Sequence, residues 1–331
     1  MSSIRVALLG GVPRPLGGGG LERQVDLTAD ALRARGHQVT PVSRMNADDS
    51  FDLLHTIGNG PDVWMTLEHW RKHPSPLVVS PVVICSPGAT EIKLRIGASM
   101  GFVVPNVNSM TRDVLRRADQ IVALTAYERD FVRKLAGKKD VTIIDNGVKR
   151  VDLAAQNPAS DSRPYVVMLG SVSERKGQAA VLRELGSRFH FVVAGGVEGG
   201  TAAVREWEKV VASSGAEWLG EIHDPSVVAR LLTDASALVL FSRAEVQSLA
   251  VLEALAYGTP VVASALPSHK ELAERWPGWV IPVRGISGAG SALTRLLESP
   301  PAGPPPDVLT WDDVAAKLET VYERALSKTT S

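Results

Sequence analysis

Short aliphatic runs alternate with longer amphipathic stretches through nearly the whole of this sequence. Such runs are typical of strands buried on both faces of a parallel sheet, and a 3.6-residue apolar period is typical of the helices that cover them. Hydrophobic residues make up 44% and charged residues 22% of the chain, which excludes a disordered chain or a coiled coil. The pattern therefore predicts an α/β protein.

The alternation occurs in two series, separated by the polar stretch Asp152–Pro164. The chain has 331 residues, which suits two domains of about 150 residues each. In the first series we predict strands at Ile4–Leu9, Gln38–Ser43, Asp52–His55, Leu77–Cys85, Gln120–Leu124 and Val141–Ile144, with helices at Leu21–Arg35 and Ala126–Leu135. In the second series we predict strands at Tyr165–Leu169, His190–Ala194, Glu217–Leu219, Ala237–Phe241, Pro260–Ala263 and Trp279–Ile281.

A last amphipathic helix follows the proline-rich segment 300–306. Its buried face would carry Val314, Leu318, Val321, Tyr322 and Ala325. We predict two Rossmann-like, doubly wound domains facing a cleft, 1–152 and 153–309, with helix 310–327 crossing back onto the first.

Charge and cysteine content limit the classes of partner. Lys and Arg together number 36, as do Asp and Glu, but residues 1–150 carry 20 basic against 15 acidic side chains. That basic surplus favours an acidic acceptor or peripheral contact with an anionic membrane. The alternative is that these basic side chains lie on ordinary solvated helix faces. Cys85 is the only cysteine, so no intrachain disulfide or cysteine zinc site can form. No apolar run approaches the roughly 18 residues of a membrane span, and we expect a cytoplasmic protein.

Glycines follow the first predicted strand of each series. Gly17–Gly20 precede a helix that starts at Leu21, where backbone N–H groups and the helix dipole favour an anion, so Gly19 and Gly20 are candidate ligand contacts. A flexible surface loop is the alternative, since no strict Gly-x-Gly-x-x-Gly opens this helix.

The second series opens with Gly170, Ser171 and the cations Arg175 and Lys176 at a strand-to-helix turn. Phosphates bind at such turns in open α/β sheets, and Arg and Lys are suitable phosphate ligands. The alternative is a solvated turn.

Glu245 and Glu253 lie eight residues apart after the predicted strand Ala237–Phe241. On one helix they would be ~12 Å apart at 1.5 Å per residue, close to the distance from the ribose of a nucleotide-sugar to its sugar ring. Between them, Ser248 and Leu249 would direct N–H groups of a helix start towards the phosphates. Two surface glutamates on an amphipathic helix are the alternative.

These residues resemble the retaining glycosyltransferases of the GT-B fold, family four (group 1). The resemblance lies in Glu245, Glu253 and Gly258–Ala263, and covers nearly the whole chain. Looser matches are Gly18–Gln24, Asp119–Glu128, Asp145–Val148 and Trp311–Leu326.

The resemblance implies transfer of a hexose or pentose from a nucleotide-diphosphate-sugar to a hydroxyl acceptor, with retained anomeric configuration and no metal or other cofactor. Glu253 would bind the ribose hydroxyls, Glu245 the hydroxyls of the transferred sugar, and Lys176 the pyrophosphate. The acceptor could be a saccharide, a lipid-linked saccharide, a small molecule or a polynucleotide.

The chain departs from the family pattern at two places. Gly170-Ser171 stands where the family has Gly-Arg, and Arg175 could replace the missing cation. The family's first-domain histidine has its nearest match in His55, which could instead be structural. These departures suggest a non-catalytic sugar-nucleotide-binding subunit as one alternative. A nucleotide-sugar epimerase, which would keep the fold and change the chemistry, is another.

Overall fold

The computed structural model describes residues 3–10, 19–45, 50–70, 73–83, 107–137, 140–151, 164–301 and 308–328. The chain divides into two compact units: unit 1 is Met1–Gly147 with Leu309–Ser331, and unit 2 is Val148–Val308. Gly17, Gly18, Cys85, most of the predicted linker and most of the proline-rich segment lie outside the described residues.

Unit 1 is built on six parallel strands in the order β2-β1-β3-β4-β5-β6. The strands are β1 (Arg5–Gly10), β2 (Gln38–Pro41), β3 (Leu53–Ile57), β4 (Leu77–Ser80), β5 (Gln120–Ala123) and β6 (Val141–Ile143). Among the described residues before the second unit, the helices are α1 (Gly20–Ala34), α2 (Pro61–Trp70), α3 (Val107–Arg117) and α4 (Ala126–Ala136), and a 3-10 turn covers Val42–Arg44.

Unit 2 repeats this architecture with six parallel strands in the order β12-β11-β10-β7-β8-β9. The strands are β7 (Val166–Leu169), β8 (Phe191–Ala194), β9 (Glu217–Gly220), β10 (Ala237–Leu240), β11 (Val261–Ser264) and β12 (Val280–Val283). The helices are α5 (Gln178–Leu185), α6 (Thr201–Ser214), α7 (Pro225–Asp234), α8 (Leu249–Ala256), α9 (Pro267–Arg275) and α10 (Ile286–Glu298).

The central strands of unit 2 are apolar at every position because both faces of the sheet are covered. In β7, Val167 belongs to one buried cluster while Val166 and Met168 belong to the cluster on the opposite face. In β10, Leu238 and Val239 divide in the same way. Burying each such side chain contributes roughly 1.5–3 kcal/mol, which fixes the sheet and therefore the loops at its edge.

The last helix, α11 (Trp311–Ser327), belongs to unit 1 although the whole of unit 2 precedes it in sequence. Its fully buried Tyr322 bonds the ring of His55 on β3, with 2.8 Å between the phenol oxygen and Nδ1. At the surface, Arg35 at the end of α1 pairs with Glu319 at 2.8 Å.

The predicted α/β class with two Rossmann-like, doubly wound domains is confirmed. Several predicted boundaries were wrong. The strand expected at Leu77–Cys85 ends at Ser80, because Pro81 has no N–H for the ladder and Val82 adopts a positive φ of 47°. His55, expected at a strand end, lies in the middle of β3, whose last residue is Ile57.

Candidate active site

Unit 2 has a point at which the winding of its sheet reverses. The chain passes from β7 outward through β8 to β9, then returns to the other side of β7 to form β10, β11 and β12. The reversal lies between β7 and β10, which pair directly through Ala237 and Val166. In open parallel sheets, ligands bind outside the carboxyl ends of the strands at this switch point.

Three charged side chains meet there. Arg175 and Lys176 follow β7, and Glu245 follows β10. The ammonium of Lys176 donates to Oε1 of Glu245 at 2.6 Å, and Nη1 of Arg175 lies 3.5 Å from the same oxygen. The Lys176 and Glu245 side chains are only 14% and 10% exposed, so this ion pair is largely withdrawn from water.

The two loops that carry these charges are held together through their backbones. The N–H of Arg243 donates to the carbonyl of Arg175 at 2.8 Å. Gly177 has φ +75°, and a Cβ there would lie 2.6 Å from the carbonyl oxygen of Phe241, so glycine permits the close approach. The Ser268 hydroxyl also contacts the carbonyl of Glu245 at 3.4 Å.

The prediction that Glu245 and Glu253 share one helix was wrong. Helix α8 begins at Leu249, with Ser248 as its N-cap, so Glu245 lies in the preceding loop and the rise of a helix does not set its distance from Glu253. Ser248 makes no side-chain capping bond, which leaves the N–H groups of the first turn directed outwards at the carboxyl edge of the sheet. Glu253 lies in the second turn and is 6% exposed.

Gly170 and Ser171 follow β7 directly. Gly170 has φ +118°, and its N–H donates to the carbonyl of Ala194 at 2.9 Å, so that group is already used by the sheet. The Ser171 hydroxyl donates to Oε1 of Glu198 at 2.5 Å. A hydroxyl and a carboxylate therefore occupy the place where the family pattern has an arginine. Sequence reasoning missed Glu198, although it belongs to the glycine-rich loop that follows β8.

His269 is a second residue that sequence reasoning missed. Its Nδ1 donates to the carbonyl of Ser264 at 2.7 Å, and the ring is completely buried. Burial lowers the pKa of His269 below its ordinary value. No described residue partners its Nε2. Its position directly after β11, at the same sheet edge as Glu245, was the only signal in the sequence.

Two predicted contacts in unit 1 have competing roles. His55 is 1% exposed and uses both ring nitrogens inside the protein, Nδ1 with Tyr322 and Nε2 with the Ser80 hydroxyl at 2.8 Å. Its environment therefore gives it a packing role and does not support the predicted contact with substrate. At the start of α1, the Glu22 carboxylate accepts from the N–H of Gly19 at 2.9 Å, so this N–H of the predicted anion site is already bonded within the chain.

A cavity of about 420 Å³ also lies in unit 1, bordered by Trp70, Leu77, Arg117 and Asp119. Leu77 opens β4 and Arg117 closes α3, so this cavity is at the amino ends of the strands, opposite the ligand-binding edge. Within the described ranges, no group of three or more His, Cys, Asp or Glu side chains is placed to hold a metal ion. The described helices are all too short or too polar to cross a bilayer.

Two Rossmann-like units on parallel six-stranded sheets, the second with cations and a carboxylate at its switch point, define the class of this protein as the GT-B fold. Residues 163–299, almost all of unit 2, match the family described as "Glycosyl transferases group 1". The predicted resemblance to the group 1 glycosyltransferases is confirmed for these residues, which include Glu245, Glu253 and Gly258–Ala263, and the match and the fold together support sugar transfer from a nucleotide-sugar. Retention of configuration stays a prediction. No curated protein matches this chain.

Solved structures share the fold over nearly the full length. Sucrose-phosphate synthase of Thermosynechococcus elongatus is 16% identical with a TM-score of 0.75, over 98% of this chain and 100% of that one. Anabaena HepE, in complex with UDP-glucose, is 15% identical with a TM-score of 0.65, over 98% and 97%. The catalytic domain of starch synthase IV of Arabidopsis thaliana, bound to ADP and acarbose, is 13% identical with a TM-score of 0.63, over 98% and 100%.

Proposed function

We propose that this protein is a retaining glycosyltransferase that binds its nucleotide-diphosphate-sugar at the carboxyl edge of the unit 2 sheet. The observation that carries the proposal is the cluster of Arg175, Lys176 and Glu245 at the switch point of the unit that matches the glycosyltransferase family. Cations for a pyrophosphate and a carboxylate for sugar hydroxyls stand side by side where this type of sheet binds ligands.

Each group has a distinct task in this proposal. Lys176, helped by Arg175, binds the pyrophosphate together with the first-turn N–H groups of α8, which Ser248 leaves uncapped. Glu253 accepts from the ribose hydroxyls, and Glu245 accepts from hydroxyls of the sugar. The neighbouring HepE and starch synthase IV structures contain UDP-glucose and ADP respectively, which is consistent with a nucleotide ligand for this fold.

In the reaction, the acceptor oxygen bonds to the anomeric carbon while the bond from that carbon to the pyrophosphate oxygen breaks. The nucleoside diphosphate departs, and an oxygen of its terminal phosphate takes the proton of the acceptor hydroxyl. Attack on the face that the leaving group vacates retains the configuration. The cations stabilise the charge that develops on the leaving group, so we propose turnover without a divalent metal.

The acceptor would bind unit 1, and the candidate acceptors are saccharides, lipid-linked saccharides, small molecules and polynucleotides. A second candidate function is a non-catalytic sugar-nucleotide-binding subunit. It is favoured by Ser171, which bonds Glu198 where the family has a phosphate-binding arginine, and by the burial of His55.

The test is a panel of nucleotide sugars incubated with the protein, with and without acceptor glycosides, in EDTA and in magnesium. We expect acceptor-dependent release of nucleoside diphosphate in EDTA, and a product whose anomeric proton coupling in NMR matches that of the donor. Inverted product would refute retention, and turnover that EDTA abolishes and magnesium restores would refute metal independence. Sugar isomerisation without release of nucleotide would identify an epimerase, and binding without turnover a binding subunit.

A further inference from the structure

The side chains assigned to two different parts of the donor are bonded to each other. Lys176, which would bind the pyrophosphate, donates at 2.6 Å to Glu245, which would bind the sugar. Arg175 approaches the same carboxylate oxygen at 3.5 Å. The Glu245 carboxylate therefore pairs with the two cations that would otherwise bind a phosphate oxygen.

Diphosphate must compete with this carboxylate. If Lys176 turns to the phosphate, Glu245 loses its closest cation while it is only 10% exposed, and water replaces that partner poorly. If Lys176 keeps both contacts, the carboxylate and the phosphate share the cations Lys176 and Arg175 and repel each other at short range. Either arrangement weakens the binding of a diphosphate that has no attached sugar to donate hydrogen bonds to Glu245.

An intact nucleotide-sugar differs at this point because its sugar hydroxyls can donate hydrogen bonds to the carboxylate. Glu245 then accepts from the sugar hydroxyls in place of the Lys176 ammonium. It keeps a hydrogen-bond donor while Lys176 binds the phosphate. Movement of the loop away from Lys176 would break two contacts, because the Ser268 hydroxyl bonds the Glu245 carbonyl at 3.4 Å and the N–H of Arg243 bonds the carbonyl of Arg175 at 2.8 Å.

We propose that Glu245 is a specificity-determining residue that shifts the preference of the site towards the intact nucleotide-sugar and away from the nucleoside diphosphate left after transfer. The proposal rests on the proposed function of this site. It also gives Glu245 a part in product release, because the carboxylate reclaims Lys176 once the sugar has gone.

The experiment measures dissociation constants by calorimetry for inorganic pyrophosphate, for whichever of ADP, GDP and UDP binds best, and for the glucose ester of that nucleotide. Glu245→Gln removes the competing charge, and we expect it to bind pyrophosphate and nucleoside diphosphate about tenfold more tightly, the equivalent of one charged hydrogen bond. The preference for the glucose ester should fall correspondingly. Glu245→Ala carries the same expectation if Glu245→Gln does not fold.

Glu174→Gln is the matched control. Glu174 lies in the same loop as Lys176 but is 83% exposed and pairs with Arg243, so the same loss of charge should leave all three constants unchanged. The gain should also disappear when Glu245→Gln is combined with Lys176→Met, because the competition is for that ammonium. A uniform gain in the control would indicate general charge repulsion and overturn the proposal.

Absence of nucleotide binding and an unchanged diphosphate affinity in Glu245→Gln have different meanings for this protein. If the wild-type protein binds no nucleotide and no nucleotide-sugar, the proposed function itself fails. If the wild type binds both ligands while folded Glu245→Gln binds the diphosphate equally or more weakly, the role of Glu245 is refuted and the proposed function stands.

Discussion

Lys176 and Glu245 are 69 residues apart in the sequence, yet their side chains form the most buried ion pair at the switch point of unit 2. Local chemistry indicates that each is suited to a sugar-nucleotide, but it does not indicate that they bond each other. The pairing arises because β7 and β10 are neighbours in the sheet, which places their following loops side by side. We therefore expect the affinity for a ligand to depend on how well its phosphate and hydroxyl groups replace the bond between Lys176 and Glu245.

The proposed binding of ribose by Glu253 can be tested independently of the bond between Lys176 and Glu245. Ribose hydroxyls keep their hydrogen bonds from the ground state to the transition state, so losing their acceptor should weaken binding of every ligand that carries ribose. We expect Glu253→Gln to raise the dissociation constants of donor and free nucleoside diphosphate together by roughly tenfold, corresponding to the 1.5–3 kcal/mol of a charged hydrogen bond.

Calorimetry with both ligands checks this expectation, with Glu274→Gln on the exposed side of α9 as the control for charge. An effect on the donor alone would move Glu253 from the ribose to the sugar.

At the scale of elements, the site depends on how closely the loops after β7 and β10 approach. Gly177 allows that approach, because its α-carbon lies against the carbonyl of Phe241 and its backbone adopts φ +75° as the N-cap of α5. Any side chain there must displace the neighbouring loop, which carries Glu245.

We expect Gly177→Ala to destabilise unit 2 and to weaken nucleoside diphosphate binding. Gly215→Ala is the matched control: Gly215 has nearly the same backbone, φ +70° and ψ 17°, at the end of α6, and no described atom lies within 4 Å of the added Cβ. Backbone strain alone costs about 1 kcal/mol, so both variants should lose that much in urea unfolding, and only Gly177→Ala should lose more. Equal losses and unchanged nucleotide affinity in both would show that the close approach is unimportant.

At the scale of the whole molecule, unit 1 is completed by a helix from the far end of the chain, and that contact buries a histidine. Burial lowers the pKa of His55 to about 3, whereas in an unfolded chain it is about 6.5. Below pH ~6.5 the unfolded state therefore takes up a proton that the native state refuses, and the free energy of unfolding falls by up to about 1.4 kcal/mol per pH unit.

Glu128 in unit 1 has the opposite effect on how the free energy of unfolding changes with pH. Burial raises the pKa of Glu128 to about 7, so the native state keeps a proton that the unfolded state releases from about pH 4.5 upwards. The stabilisation from Glu128 is present at low pH and is lost as the pH rises towards 7. Between pH ~4.5 and ~6.5 the two slopes should nearly cancel in the wild type.

His55→Gln removes one of these slopes. We expect the variant to be less stable than the wild type at pH 7, because the bonds to Tyr322 and Ser80 are disturbed, and the difference should shrink as the pH falls to 5. Urea unfolding at pH 7, 6 and 5 checks this, with the exposed His223→Gln as control. Curves for wild type and His55→Gln that stay parallel would show that the pKa of His55 is the same in the native and the unfolded protein, against a burial-lowered value.

Much of this molecule was determined by the sequence alone. Alternating aliphatic and amphipathic segments require strands buried on both faces, and that requirement produces two doubly wound sheets. The motif formed by Glu245, Glu253 and Gly258–Ala263 lies within one stretch of chain, so its resemblance to the group 1 glycosyltransferases was visible in the sequence.

The tertiary structure alone decided the partners of individual side chains. His55 is a residue type suited to catalysis, but it is buried against Tyr322 of α11. Ser171 bonds Glu198 from the loop after β8, and Glu245 bonds Lys176. Local periodicity specifies which face of an element is apolar, whereas these contacts follow from the order of strands in the sheet. That order is set by the packing of elements distant in sequence, and no local pattern encodes it.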